Sequence, residues 1–302
     1  MVRLQKREHI ENLLGPGMRI GGDDEAGPII EIDRDGHRGR LSLFGGQVLE
    51  WCPAGHQPVL WLSEAAVFDG KTPIRGGIPV CWPWFAGHPH RKDWPSHGFA
   101  RTTSWPYDGV DDADSRRSNL ALPIWDPDTR YWPHASRLHV SYRLAEDLRI
   151  EFDIMNIDPD PLEFSQAMHT YFVVGDIGSV SIRGLENCAF IDKLTDREEP
   201  ASKAPIAISA ETDRIYRRPD GPIELHDSVL ERTITIEHAG ATSAVVWNPW
   251  IEKSARLDDM GPADAYRGMV CIETGNVMPD PVRLQPGEVH TLRTRISVRH
   301  GT

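Results

Sequence analysis

Apolar residues fall two apart over Leu138, Val140, Tyr142 and Leu144, and again over Leu148, Ile150, Phe152 and Ile154. A period of two puts each set on one face of a strand. The connecting Ala145-Glu146-Asp147 is short enough for a hairpin turn, so the two runs read as neighbouring antiparallel strands. Arg149, Glu151 and Asp153 would then face the opposite side of the sheet. Similar strand signals recur at Thr233 to Glu237, Ala244 to Trp247, Met269 to Glu273 and Leu292 to Val298. Helical periodicity is scarce: the clearest helix runs from Gln5 to Leu14, with Ile10, Leu13 and Leu14 on one face. Polar loops are expected at Asp111 to Ser118 and Thr195 to Lys203.

Spread through this pattern are 26 glycines and 24 prolines, which favour many short strands joined by turns over alternating βα units. The expected class is all-β, a large antiparallel β-sandwich. The chain has 302 residues, no internal repeat and no composition break, so one domain over residues 1–302 is expected, with residues 1–26 as an N-terminal extension. There is no run of about 18 apolar residues to span a membrane, and the N-terminus lacks the apolar core and cleavage site of a secretion signal. Four scattered cysteines without a Cys-x-x-Cys pair read as reduced thiols, and a cytoplasmic protein is expected. A formal charge of −12 argues against nucleic acid and anionic lipid as partners, so an anionic ligand needs a local cluster of arginines.

The segment PIRGGIPVCWPWFAGHPHRKDWPSHGFAR, Pro73 to Arg101, concentrates unusual chemistry. Gly76 and Gly77 let a ligand or another backbone approach, and the planar fork of Arg75 suits a phosphate or vicinal hydroxyls. Arg101 lies four residues beyond His97. His88 and His90 would point the same way on a strand and could hold a metal with His97, but the Pro-rich AGHPHRKDWP context reads as a solvated loop. His169 sits in the apolar run MHTYF, on a strand, where an imidazole needs a hydrogen-bond partner or a substrate. Glu273 in VCIETGNV stands at a strand end before a Gly-Asn turn, either as a cap or as a base at a cavity mouth. Tryptophans at 82, 84, 247 and 250 offer flat faces for a sugar, or are simply core.

Together these segments resemble the hexose-6-phosphate mutarotases (glucose-6-phosphate 1-epimerases), a branch of the aldose 1-epimerase superfamily. The resemblance rests on WCPAGHQPVLWLS at 51–63, PIRGGIPVCWPWF at 73–85, PSHGFAR at 95–101, MHTYF at 168–172, ETDRIY at 211–216, VVWNPW at 245–250 and VCIETGNV at 270–277. It spans roughly residues 27 to 298. It implies a galactose mutarotase-like β-supersandwich, no metal, no cofactor, and an aldohexose 6-phosphate as the small-molecule partner of a monomer. By the same resemblance Glu273 is the general base and His169 the general acid; the chemistry then needs an imidazolium near neutrality, with a nearby carboxylate or the substrate phosphate to raise its pKa. His97 would orient the sugar, Arg75 and Arg101 would contact phosphate or hydroxyls, Asp213 would bind the sugar with Asp192 as second choice, and Trp247 would wall the pocket. A non-catalytic sugar-phosphate-binding or metabolite-sensing protein on the same fold is the alternative reading, and a metal-dependent isomerase built on His88, His90 and His97 is a third.

Overall fold

The period-two segments pair as their pattern requires. In this computed structural model, which describes residues 5–22, 27–124 and 131–301, Ser136–Leu144 and Leu148–Asn156 form an antiparallel hairpin with Val140 opposite Phe152. Their apolar residues are buried, while Glu151 on the other face takes ion pairs from Arg117 and Arg293. The hairpin belongs to an eight-stranded antiparallel sheet that also holds Arg232–Ala239 and Val289–His300. A second eight-stranded sheet runs through Thr212–Arg217, Ser243–Asn248 and Met269–Asn276. One apolar cluster joins the two, with Val140, Phe152, Ile234 and Ile296 from the first and Tyr216, Ala244, Val246 and Ile272 from the second. This is a large antiparallel sandwich, as expected.

A four-stranded sheet of Met18–Gly21, Ile29–Arg34, His37–Ser42 and Gln47–Cys52 packs Ile30, Leu41 and Trp51 into the same core. The N-terminal extension is fastened to the body. Its helix is shorter than expected, Arg7–Glu11, but buries Ile10 completely, and the Gln5 side-chain amide exchanges two hydrogen bonds with the backbone of Tyr107. Residues 1–4 and 23–26 of the extension lie outside the described residues. Among the described residues no helix is long and apolar enough to cross a membrane.

Three local expectations change. The polar stretch Thr195 to Lys203 contains the strand Arg197–Glu199, an edge strand that pairs with Phe190–Asp192 and needs no apolar face. The loop from Asp111 gives way to the strand Arg117–Ile124 before Ser118. Gly275 and Asn276 form no turn after Glu273: both continue the strand Met269–Asn276, opposite Ala167 and Gln166. Gly275 is required there because a Cβ would stand 2.3 Å from the Gln166 carbonyl oxygen. The Thr274 and Thr294 hydroxyls share a hydrogen bond of 2.7 Å between the two large sheets, which sets this strand against the core.

Gly275→Ala should push the Gln166–Met168 strand off its neighbour and cost about 2 kcal/mol. A chain of this length should then lose several degrees of melting temperature. An unchanged transition in thermal unfolding would contradict this view of the strand pair.

Candidate active site

The strand Met269–Asn276 has a broken neighbour. Gln166–Met168 pairs with its C-terminal half and Tyr171–Val173 with its N-terminal half, leaving His169 and Thr170 in the gap. His169 is therefore not a strand residue, as its apolar context had indicated. Its amide donates to the Pro79 carbonyl (3.0 Å), and Thr170 turns back on Met168 (2.9 Å). The break leaves the imidazole beside the middle of the continuous strand, where Nε2 lies 3.4 Å from Glu273 Oε1. His169 is 7% exposed and Glu273 1%. Among the described residues the other polar atoms of both side chains, His169 Nδ1 and Glu273 Oε2, are buried without a partner. Two unsatisfied polar atoms at one place in a core are costly unless a ligand completes them.

Other predicted site residues gather around this pair. The His97 ring stands edge-on to His169 with centroids 5.3 Å apart, and Trp247 does so at 6.2 Å. His97 adopts a left-handed backbone (φ 64°) because Gly98 follows it against the Trp82 carbonyl, where a Cβ would sit 2.0 Å from the oxygen. His97 Nδ1 accepts from the Ala86 amide (3.3 Å), so the neutral ring carries its proton on Nε2. Asp213 lies opposite Trp247 across a strand pair, and Val245 of the same middle strand lies opposite Glu273. Arg101 donates to the Ser96 carbonyl (2.8 Å) and keeps a buried Nε without a partner.

Arg75 departs from its expected part. Its Nε and Nη2 each lie 3.0 Å from one oxygen of Asp259, and Nη1 donates to the Tyr171 hydroxyl at 3.1 Å. The Tyr171 ring stacks flat on His169, 4.8 Å away and tilted by 13°. Arg75 is thus committed to holding Tyr171, and Tyr171 backs the imidazole. Gly76 and Gly77 serve the backbone instead of a ligand, since their added Cβ atoms would meet Trp61 O at 2.6 Å and Val48 O at 2.1 Å. Trp82 is fully buried in the main core, so it does not wall the site, and Trp250 packs beside Tyr266. Asp192 is engaged by Arg214 (3.6 Å) and by the Leu194 amide (2.9 Å). His88 accepts from the amides of His90 and Arg91 within its loop, as read from the sequence.

Electrostatics bears on the imidazolium expected at His169. Burial, then the positive charges of Arg101 and Arg75, pull its pKa down to about 3, so the protein by itself favours the neutral imidazole at neutral pH. His97 is driven well below its ordinary range by burial and by Arg101. Glu273 moves the other way: burial and then Asp213 push it well above the ordinary carboxylate range, with Arg101 opposing. Asp213 is itself raised by burial, against the pull of Lys253. Both shifts favour the neutral forms, so the proton of the pair is favoured on Glu273 over His169. Moving it to His169 requires no proton from solvent.

A facing imidazole and carboxyl group beside an indole and a second imidazole suit proton transfer to and from a hydroxylated ring. Residues 28–297 match the aldose 1-epimerase family. The chain belongs to that family. It is 36% identical over 248 residues, 82% of each chain, to an Escherichia coli protein described as "Putative glucose-6-phosphate 1-epimerase". A plant protein of the same description, from Cenchrus ciliaris, is 35% identical and aligns over 82% of this chain and 77% of its own length. The crystal structure of a "putative mutarotase" from Salmonella typhimurium superposes with a TM-score of 0.86 at 30% identity, covering 97% of this chain and 99% of that one. This family member is an isomerase of the epimerase type.

Sequence reasoning passed over three residues of the site. Tyr171 stood in the quoted MHTYF, two places from His169, where its aromatic neighbours made it look like core. Cys271 sits two before Glu273 on the same strand face and is fully buried. Asp259 is 184 residues from Arg75, and no local pattern links them.

Asp259→Asn should loosen Arg75 and let the Tyr171 ring shift behind His169. We expect kcat for anomer exchange to fall about tenfold or more through misplacement of the imidazole, with KM changing much less. A rise in KM at unchanged kcat would instead make this group a sugar contact.

Proposed function

We propose that the protein interconverts the α and β anomers of an aldohexose 6-phosphate, glucose 6-phosphate being the substrate class carried by its relatives' names. The observation that carries the reading is the facing pair of proton-transfer groups, the His169 Nε2 nitrogen and the Glu273 Oε1 oxygen at 3.4 Å, each side chain with a second buried polar atom that has no partner among the described residues. Opening a cyclic hemiacetal removes a proton from the C1 hydroxyl and delivers one to the ring oxygen as the C1–O5 bond breaks. Rotation about C1–C2 and reclosure on the other face then reverse both transfers. Glu273 as carboxylate takes the first proton, and His169 as imidazolium gives the second.

That charged form of the pair differs from the resting one only by a proton displaced from Glu273 to His169. The positive field of Arg75 and Arg101 opposes the displacement, because it disfavours an imidazolium. An anionic phosphate bound at Arg101 would weaken that field and favour the catalytic form. Arg101, with its unpartnered buried Nε, is better placed for the anion than Arg75, which is tied to Asp259 and Tyr171. His97 offers an N–H to a sugar hydroxyl, Asp213 an acceptor, and Trp247 an apolar face for the ring. The reaction as written needs no cofactor. A non-catalytic binder would have no use for a matched acid and base. The proposal includes a monomeric, single-domain, cytoplasmic protein, a setting that suits four free cysteines.

Glu273→Gln and His169→Asn should each slow anomer exchange of glucose 6-phosphate at least about a hundredfold in NMR exchange spectroscopy, with the fold intact. Wild-type exchange in both would end the proposal. Arg101→Ala should raise KM for glucose 6-phosphate far more than for glucose, and equal increases for the two sugars would remove the phosphate from Arg101.

A further inference from the structure

Cys271 has no part in the proton transfers, yet its thiol faces them. The Sγ of Cys271, a ring nitrogen of His169 and a carboxylate oxygen of Glu273 all lie within 4.8 Å of one another, and all three residues are buried. Cys271 and Glu273 alternate on one strand, and the break in the neighbouring strand brings His169 against them. We propose that His169, Cys271 and Glu273 form a site for a soft divalent cation, Zn2+, whose occupation excludes the sugar.

Three features carry this. The first is spacing: ligands on a tetrahedral zinc with bonds of 2.0–2.3 Å stand about 3.3–3.8 Å apart, and His169 Nε2 and Glu273 Oε1 are already 3.4 Å apart. Closing the thiol onto them requires movements of about an ångström or less. The second is freedom: among the described residues neither His169 Nδ1 nor Glu273 Oε2 has a hydrogen-bond partner, so no second bond fixes either side chain against the small turn that would bring its ligand atom to an ion. The third is charge. One thiolate, one carboxylate and a neutral imidazole exactly offset the two charges of the ion, so the complex adds no net charge to a dry pocket. The charges of Arg75 and Arg101 are felt at the same place and oppose a cation, but Asp259 pairs with the first and the negative charge of Asp213 is felt at both Glu273 and Cys271. Sulfur in the ligand set selects zinc over magnesium. The fourth coordination position is left to water, as in other open three-ligand sites.

The metal site draws on the geometry alone, so its first test uses no sugar, whereas exclusion of the sugar rests on the proposed function and is tested last. Protein stripped with a chelator is titrated with Zn2+ in competition with a chromophoric chelator at neutral pH. One equivalent should bind, Mg2+ should not displace it, and Cys271→Ala and Glu273→Gln should each weaken it at least about tenfold. In Co2+-loaded wild-type protein a thiolate-to-metal charge-transfer band should appear, a readout that does not depend on any variant folding. Failure to bind an equivalent, absence of that band, or affinity unchanged in either variant would overturn the proposal. Binding lost only in His88→Ala would do so too, since it would move the ion to the 88–90 loop. With sugar present, Zn2+ should raise KM for anomer exchange and leave kcat unchanged, and a fall in kcat alone would refute exclusion of the sugar.

Discussion

One continuous strand beside one interrupted strand organises this molecule. Met269–Asn276 is held along its whole length, but its neighbour lets go for His169 and Thr170 before resuming. The gap releases an imidazole from the alternation that would otherwise send it to the core or to solvent. Glu273 occupies the matching place on the continuous strand, so acid and base meet with only the His169–Thr170 backbone leaving its ladder. Much of the apparatus nearby serves that one arrangement: Gly275 lets the strands close, the Pro79 carbonyl anchors the His169 amide, and Tyr171 backs the ring.

The arrangement is electrostatically unfavourable by itself. Burial opposes both the carboxylate and the imidazolium, and two arginines add to the cost of charging His169. Burial settles this by favouring the neutral form of each group. A substrate that brings its own negative charge alters the balance locally, which is how a chain of net charge −12 can handle an anionic sugar without a positive surface field. Reactivity is thereby reserved for the loaded site.

What was legible in the sequence followed physical range. The hairpin of Leu138 to Ile154 was readable because one face of it is apolar core and the residues between carry polar or charged side chains, the condition under which a period of two appears. Arg197–Glu199 was not, because an edge strand needs no apolar side. His169, Glu273, His97, Arg101, Asp213 and Trp247 were each named from short motifs, and the structure brings His169, Glu273, His97 and Trp247 within ring or ion-pair contact. The depressed pKa of His169 was not legible, since desolvation by its whole surroundings has no local signature in the sequence. The role of Arg75 was misjudged for a related reason: its partner lies in a loop 184 residues away. Gly76 and Gly77 announced a close approach correctly, but the approaching group is backbone from Trp61 and Val48.

The account's centre is a single pyranose seated between two side chains. A crystal structure of the Glu273→Gln variant with glucose 6-phosphate addresses it most directly. The account predicts the C1 oxygen at residue 273 and the ring oxygen at His169 Nε2, each within about 3 Å. A sugar lodged elsewhere, such as the apolar pocket lined by Trp84, Phe85 and Tyr131, with His169 and residue 273 untouched, would contradict it.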